Sequence, residues 1–323
     1  MGRIYAIGEA LIDFIPVQPA DSLAKVNAFE KRPGGAPANV AVAAAKLGAE
    51  SYFIGMVGDD PFGHFMKDTI QSYGVNTQHI KMTKEAKTAL AFVTLSENGQ
   101  RDFSFYRNPS ADLLLKKEDV EDIIFTDKDF ISFCSVDLVD YPVKYATEYL
   151  LQKAKQAGAT ILFDPNIRKD LWDDLDACKN TVLSFMKYAD IVKMADDEVS
   201  FITGKTDVSD AIAYVKGYGV KHVIITRGPD GSDAYLQHGF GHADSHKVTA
   251  LDTTGAGDTF VGALLYYLNA QELNIDKIPL DTMKNALKFA NCSAAIVATK
   301  KGAMNAAPTL EEVLELDGDI HVS

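Results

Sequence analysis

The sequence is poor in the residues that stabilise small secreted or zinc-dependent domains. Its 323 residues include one tryptophan and three cysteines, Cys134, Cys178 and Cys292. The cysteines are odd in number and far apart, and no Cys-x-x-Cys pair occurs, so neither a disulfide framework nor a zinc ribbon is expected. Free thiols fit a reducing compartment, and we therefore expect a cytoplasmic protein.

Long apolar runs and an excess of positive charge are also missing. The longest apolar segments are too short or too interrupted to span a bilayer, and Glu9 and Asp13 interrupt the N-terminal run early, which argues against a signal peptide. The net charge of −13 argues against nucleic-acid and anionic-membrane partners. The length allows one large core, or one core with a small appendage, and the composition, with 47% hydrophobic and 24% charged residues, is that of an ordinary globular protein.

The sequence does contain a regular alternation of β-rich and helical segments. This alternation predicts an α/β fold, with a largely parallel sheet between two layers of helices. Two alternating segments joined across Asn98-Gly99 break the rhythm and predict a small separate sheet. The segments with strand character are 4–16, 51–57, 88–95, 101–106, 131–136, 160–163, 190–194 and 222–226.

The stretch from Asp252 to Asp258, DTTGAGD, is predicted to connect a strand at 246–251 with an apolar helix. Its glycines allow a sharp turn and a close approach of a ligand to the backbone. The first amides of a helix lack internal partners and carry partial positive charge, so the turn is a candidate phosphate site. The carboxylate of Asp258 would repel phosphate, so it needs another role. That role is predicted to be a general base, which removes the proton from a hydroxyl that attacks the phosphate. From this turn alone, an ordinary Gly-rich helix start fits equally well.

Other polar residues also follow predicted strands, where open α/β sheets bind ligands. Asp13 lies at the end of the first strand, although a surface acid at that point is an alternative. Gly34 and Gly35 precede an Ala-rich helix with Asn39 in its first turn, and a tight packing loop would explain them too. Arg168 and the Thr226–Gly231 loop follow later strands.

Taken together, these segments resemble the PfkB (ribokinase-like) family of sugar kinases. GGAPANVAVAAAKLG from Gly34 resembles the first family signature, and DTTGAGDTFVGAL from Asp252 resembles the second, in the expected order. The similarity extends over essentially the whole chain. Within the family, FIGMVGDDPFG, DFSFYRNPSADLLL and FDPNIRKDLW are most similar to bacterial and plant-type fructokinases.

The resemblance implies a ribokinase-like, Rossmann-type α/β/α sandwich with a small β-sheet lid. The implied core comprises 1–13, 33–87 and 108–323, and the implied lid comprises 14–32 and 88–107. The implied reaction is ATP-dependent phosphorylation of D-fructose to fructose 6-phosphate, with Mg²⁺ and K⁺ as cofactors. Exposed lid edges would allow a homodimer. Ribose, 2-keto-3-deoxygluconate and another riboside are the alternative substrates, and a catalytically silent sugar- or nucleotide-binding regulator is the alternative from another class.

The resemblance also implies roles for individual residues. Asp258 is expected to be the base, and the amides of Gly255, Ala256 and Gly257 are expected to form the anion hole. The residues expected at the sugar are Asp13, Gly34, Gly35, Asn39, Phe105, Arg107, Arg168 and Asp258. Those expected at the nucleotide are Lys193, Thr226, Gly228, Gly231, Gly255, Gly257 and Asn291.

For metals, the resemblance implies that Glu198 organises Mg²⁺ through water and that Asp252 and Thr254 hold a monovalent cation. One departure from the family pattern concerns the Mg²⁺ site. Many relatives carry Asn-x-x-Glu, but here the motif reads Ala195-Asp196-Asp197-Glu198. The glutamate is present and the asparagine is replaced, which leaves open how the water shell of the metal is held.

Overall fold

A computed structural model describes residues 1–18, 22–95 and 101–318. The strands are β1 (Ile4–Ile7), β2 (Leu11–Pro16), β3 (Phe29–Gly34), β4 (Ser51–Gly58), β5 (Ile80–Thr83), β6 (Leu90–Leu95), β7 (Arg101–Tyr106), β8 (Phe130–Cys134), β9 (Thr160–Asp164), β10 (Ile191–Ala195), β11 (His222–Thr226), β12 (Ser232–Leu236) and β13 (Gly239–Ala243). The helices are α1 (Ala36–Lys46), α2 (Pro61–Ser72), α3 (Pro142–Ala157), α4 (Leu175–Phe185), α5 (Asp196–Thr203), α6 (Val208–Lys216), α7 (Ala256–Ala270), α8 (Leu280–Ala298) and α9 (Leu310–Leu316).

The large sheet has the strand order β13-β12-β11-β10-β9-β8-β1-β4-β5. Neighbours from β5 to β11 run parallel, and β12 and β13 are added antiparallel at one edge. Every residue of β8 and of β9 is buried, as expected for parallel strands that are covered by helices on both faces. The predicted α/β sandwich is confirmed, and the carboxyl ends of its central strands meet at one edge.

Two apolar cores cover the two faces of the large sheet. One packs α1, α7 and α8 against the sheet, and the other packs α3, α4, α5 and α6 against the opposite face. Helix α7 is buried from Thr259 to Ala270. Because α1 and α7 lie in the same layer, the turns that precede them open toward the same edge of the sheet. Within the described ranges, no helix is long and apolar enough to cross a bilayer.

The small sheet has the order β3-β2-β6-β7 and confirms the predicted second sheet. Asp13 pairs with Ala91, which in turn pairs with Phe105, so these three side chains share one face. The next row is aromatic: Phe14 and Phe92 stack with ring centroids 4.9 Å apart. Asn98-Gly99, the predicted hairpin turn, lies outside the described residues.

Two sequence predictions about strands are wrong. The predicted strand 4–16 is split between the two sheets, because Gly8 has a φ of +148° and breaks the extended backbone. Asp13 therefore belongs to the small sheet, and β2 crosses the predicted boundary between core and lid. Residues 246–251 form no strand. The amides of Leu251 and Asp252 instead donate to the carbonyl of Ala298, at the end of α8.

Candidate active site

A cavity of about 250 Å³ lies where the carboxyl ends of β8, β9 and β10 face the small sheet and the starts of α1 and α7. Its walls bring together ten of the residues predicted to act on sugar, phosphate or metal. These are Asp13, Gly35, Asn39, Phe105, Arg168, Lys193, Thr254, Gly255, Gly257 and Asp258. The cavity is therefore the candidate active site.

The turn before α7 is built around Gly255 and Asp252. Gly255 has a φ of +76°, and a Cβ there would lie 2.5 Å from the Cβ of Ala303, so only glycine fits. Asp252 accepts hydrogen bonds from the amides of Thr254 (2.9 Å) and Gly302 (3.0 Å), which fixes the turn. The Ala256 amide donates to the Thr253 carbonyl at 3.2 Å. Of the three amides predicted for the anion hole, that one already has an acceptor.

Asp258 lies in the first turn of α7 and faces α1. Its Oδ2 accepts a 2.8 Å hydrogen bond from Asn39 Nδ2. Burial raises the pKa of Asp258, while the Asn39 hydrogen bond and the charges of Arg168 and Lys193 oppose that rise. Asn39 is buried, and its Oδ1 has no hydrogen-bond partner among the described residues, so an acceptor remains beside the carboxyl.

The turn before α1 requires both of its glycines. Gly35 has a φ of +106°, and a Cβ there would overlap the carbonyl of Glu9. A Cβ on Gly34 would overlap the carboxylate of Asp13, which lies directly against the backbone. The two glycines therefore let the small sheet and α1 approach closely. Gly34 supports Asp13 but does not line the cavity.

Glu9 also lines the cavity, although the sequence alone did not predict a role for it. Its Oε1 accepts a 2.8 Å hydrogen bond from the Ala36 amide at the start of α1. Burial raises the pKa of Glu9 to about 7, against the opposing charge of Arg107. The available sequence signal was an acid in an otherwise apolar run, directly after Gly8.

Arg107 lies beside the cavity wall and not in it. Its guanidinium forms ion pairs with Asp112 and Asp137, and its Nε lies 2.9 Å from Asp112 Oδ2. All three side chains are buried, and the two aspartates raise the pKa of Arg107 against the effect of burial. Arg168, in contrast, is exposed and lines the cavity.

Lys193 and Asp164 form a buried ion pair in the cavity wall, with Nζ 3.1 Å from Oδ2. The sequence marks 164–168, at a strand end, as a plausible ligand position but gives a role only to Arg168. Asp164 and Asn166 line the cavity as well. Asn166 has a φ of +46°, in the left-handed region that few residues other than glycine and asparagine adopt. A charge at the end of an apolar strand was the signal for Asp164.

The other residues predicted at the nucleotide lie outside this cavity. Thr226 ends β11, and Gly228 has a φ of +54° with open space around it. Gly231 and Asn291 converge on one backbone segment. A Cβ on Gly231 would overlap the Ala243 carbonyl, to which Asn291 Nδ2 donates at 2.9 Å. Asn291 also donates to the Asp244 carbonyl at 3.3 Å.

Glu198 lies at the start of α5, next to the cavity. Its two carboxylate oxygens accept hydrogen bonds from the amides of Ile167 (2.6 Å) and Ala195 (2.9 Å). Each oxygen keeps a lone pair for water, so the carboxylate fits a water-mediated contact to Mg²⁺. In the described ranges, no group of three or more His, Cys, Asp and Glu side chains could hold a metal directly.

The chain is similar to known proteins over nearly its whole length. The family described as "pfkB family carbohydrate kinase" matches residues 1–310. Probable fructokinase-2 of Arabidopsis thaliana is 39% identical over 314 residues, covering 97% of this chain and 95% of the relative. Fructokinase-2 of Solanum lycopersicum is 41% identical over 318 residues, covering 98% and 96%.

Solved structures of related enzymes have the same fold. Fructokinase from Vibrio cholerae O395, with fructose, ADP and calcium ion bound, superposes with a TM-score of 0.87 at 34% identity and covers 98% of both chains. A double mutant of that enzyme, with fructose, ADP and potassium ion bound, has a TM-score of 0.88 at 34% identity, with 98% of both chains covered. Aminoimidazole riboside kinase from Salmonella enterica, with aminoimidazole riboside and an ATP analog, has a TM-score of 0.85 at 30% identity, covering 97% of this chain and 99% of that chain.

Proposed function

The chain belongs to the pfkB family of carbohydrate kinases, and we propose that it is a fructokinase that transfers the terminal phosphoryl group of ATP to D-fructose, forming fructose 6-phosphate. The observation that carries the proposal is the pairing of Asp258 with Asn39 in a cavity that also contains the Gly255–Gly257 turn. Near full-length identity of about 40% to proteins named fructokinase supports fructose as the substrate.

In this proposal Asp258 is the general base. Phosphoryl transfer depends mainly on positioning and on stabilisation of charge, and the acceptor hydroxyl must lose its proton. Burial raises the pKa of Asp258 toward neutrality, where a carboxylate accepts a proton more readily. The Asn39 amide fixes the carboxylate orientation, and its Oδ1 remains available to accept a hydrogen bond from a sugar hydroxyl.

The start of α7 would stabilise the negative charge of the transferring group. Gly255 and Gly257 line the cavity, so their amides and the positive end of the dipole of a 15-residue helix would be available to the phosphoryl group. The Lys193 ammonium adds a full positive charge in the same wall. The Ala256 amide already donates to the Thr253 carbonyl, so its role would be to hold the shape of the turn.

The small sheet would act as a lid over the sugar. Asp13 and Phe105 face the cavity from the same face of that sheet, one as a hydrogen-bonding group and the other as an apolar wall. Closure over a bound sugar would exclude water and limit hydrolysis of ATP. We propose that residues 14–32 and 88–107 form most of this lid and that its exposed edges support a homodimer.

Arg107 was predicted to close over the sugar, and its buried ion pairs favour a role in fastening the lid. It directly follows β7 and binds Asp137, which lies beyond β8 of the large sheet. Arg168, exposed at the cavity, has a guanidinium that can reach sugar or phosphate oxygens.

The nucleotide would lie beyond the cavity, along Thr226, Gly228 and the 243–244 backbone that Gly231 and Asn291 hold. Magnesium, delivered with ATP, would neutralise phosphate charge, and Glu198 would hold its water shell. A potassium ion would lie against Asp252 and Thr254 and add positive potential to the turn.

We further propose a cytoplasmic location, in accord with the three free, buried cysteines.

A riboside kinase is the second candidate, because aminoimidazole riboside kinase shares the fold at 30% identity. Measurement of ADP release with fructose, ribose, 2-keto-3-deoxygluconate and aminoimidazole riboside distinguishes these functions. Highest kcat/KM with fructose supports the proposal. If kcat/KM is highest with a riboside, the chain is instead a riboside kinase, the second candidate.

A further inference from the structure

Asp164 and Lys193 are placed on neighbouring parallel strands, at the last residue of β9 and in the middle of β10. Lys193 Nζ lies 3.1 Å from one carboxylate oxygen of Asp164 and 3.3 Å from the other, and both side chains are 7% exposed. Burial of two charges costs desolvation free energy that two apolar residues would not. Stability alone therefore does not account for an ion pair in this position.

The ammonium of this pair lies at the start of α7. Lys193 Nζ is 3.5 Å from the position that a Cβ on Gly257 would take, and both residues line the cavity that contains Asp258. A side chain at Gly257 would thus come into contact with the ammonium. The pair therefore places a fixed positive charge next to the amides expected to receive the transferring phosphoryl group.

Asp164 is also the main influence that favours the charged form of Lys193. Burial lowers the pKa of Lys193, but the charge of Asp164 and, after it, that of Glu198 more than compensate, and the pKa is raised. The other carboxylate that faces the lysine is Asp258, across the cavity. Without Asp164, the desolvated lysine would keep only these weaker influences.

We propose that Asp164 is a positioning residue, which holds the Lys193 ammonium beside Gly257 so that it can stabilise the negative charge of the transferring phosphoryl group. The proposal rests on the proposed kinase function. Lys193 would contact the reacting group, and Asp164 would act only through Lys193.

A double-mutant cycle tests this dependence. Lys193→Met removes one charged donor at the reacting group and should lower kcat about 10²–10³-fold, as removal of an oxyanion-hole donor does. Asp164→Asn should also lower kcat, with little change in KM for fructose. In the Lys193→Met background, Asp164→Asn should have no further effect on kcat. Losses that simply multiply in the double variant would overturn the proposal.

The pH profile gives a readout that a purely structural pair would not move. In Asp164→Asn, the lysine should lose its proton at lower pH, so the alkaline limb of kcat should shift to lower pH. Lys193→Arg in the same background should restore a flat alkaline limb, because a guanidinium does not titrate there. An alkaline limb that Asp164→Asn leaves unmoved contradicts the proposal.

Two further measurements distinguish the role of Asp164 from a folding defect and from a wrong assignment of the substrate. The Asp164→Asn, Lys193→Met double variant removes both charges, so its thermal unfolding shows whether the site folds without the pair. NMR titration of the Lys193 side chain, without sugar or ATP, should give a lower pKa in Asp164→Asn. If this lower pKa is seen but the wild type is inactive on fructose, only the fructokinase function is refuted. If the pKa of Lys193 is the same in Asp164→Asn and wild type, the role of Asp164 is refuted.

Discussion

Asn39 Nδ2 donates a 2.8 Å hydrogen bond to Asp258 Oδ2, which joins the first turns of α1 and α7 across 219 positions of sequence. Each of the two side chains follows closely after the glycine that precedes its helix, Gly35 in the case of Asn39 and Gly255 in the case of Asp258. The contact therefore brings the two Gly-rich segments together in a single site.

Loss of the Asn39 amide should change the pH dependence of the reaction. Its hydrogen bond lowers the pKa of Asp258, so Asn39→Ala should raise that pKa and move the acid limb of kcat to higher pH. Below the pKa the base is protonated, so activity is lost at a higher pH than in wild type. Val40→Ala, which removes apolar contacts from the same helix, is the matched control. An identical acid limb in Asn39→Ala and wild type would contradict this coupling.

Replacement of Gly255 should affect both stability and catalysis. Gly255→Ala places a Cβ in left-handed backbone and 2.5 Å from Ala303, so it should destabilise the fold by more than the ~1–2 kcal/mol cost of that backbone conformation. It should also lower kcat, because the phosphate turn must move. Gly219→Ala is the control, since Gly219 has a φ of +93° and a Cβ there would meet no atom within 4 Å. Thermal unfolding and turnover of both variants are compared; equal effects of the two changes would argue against a tight turn at Gly255.

Much of the fold could be predicted, because the βα alternation and the Gly-rich turns are local features of the sequence. The division of 4–16 into β1 and β2 could not, because Gly8 breaks the strand without any change in its apolar pattern. Arg107 shows a second limit. Its position after β7 suggested a residue that faces the sugar, whereas its burial depends on Asp112 and Asp137.

The buried charges of the site show a third limit of the sequence. Lys193 lies in an otherwise apolar strand, which marks it as unusual, but its partner at the end of β9 becomes evident only when the two strands are placed side by side. Contacts between distant segments, such as that of Asn39 with Asp258, likewise depend on the packing of α1 and α7.

Potassium should activate the enzyme. Asp252 binds two backbone amides and Thr254 lines the cavity, so a cation held there would fix the turn and add positive potential. We expect a higher kcat in K⁺ than in a tetraalkylammonium salt of equal ionic strength. The same rate in both salts would remove the functional cation site from the proposal.

Removal of the base should reduce turnover and preserve binding. Asp258→Asn keeps the size of the side chain but cannot accept the proton, so kcat should fall about 10²–10⁴-fold. Calorimetric titration should still detect binding of ATP and of fructose. Turnover close to that of wild type in a clean preparation would rule out Asp258 as the base.

The most direct measurement of the central claim is a panel of sugars at fixed ATP, read by release of ADP from the wild-type enzyme. Fructose should exceed ribose, glucose and 2-keto-3-deoxygluconate in kcat/KM by at least about tenfold each. A site that hydrogen-bonds its sugar discriminates strongly against a mismatched sugar, because that sugar leaves buried polar groups of the site unpaired. Asp13 and Asn39 supply those groups, and Phe105 limits adjustment. A higher kcat/KM with ribose or 2-keto-3-deoxygluconate would contradict the assignment as a fructokinase.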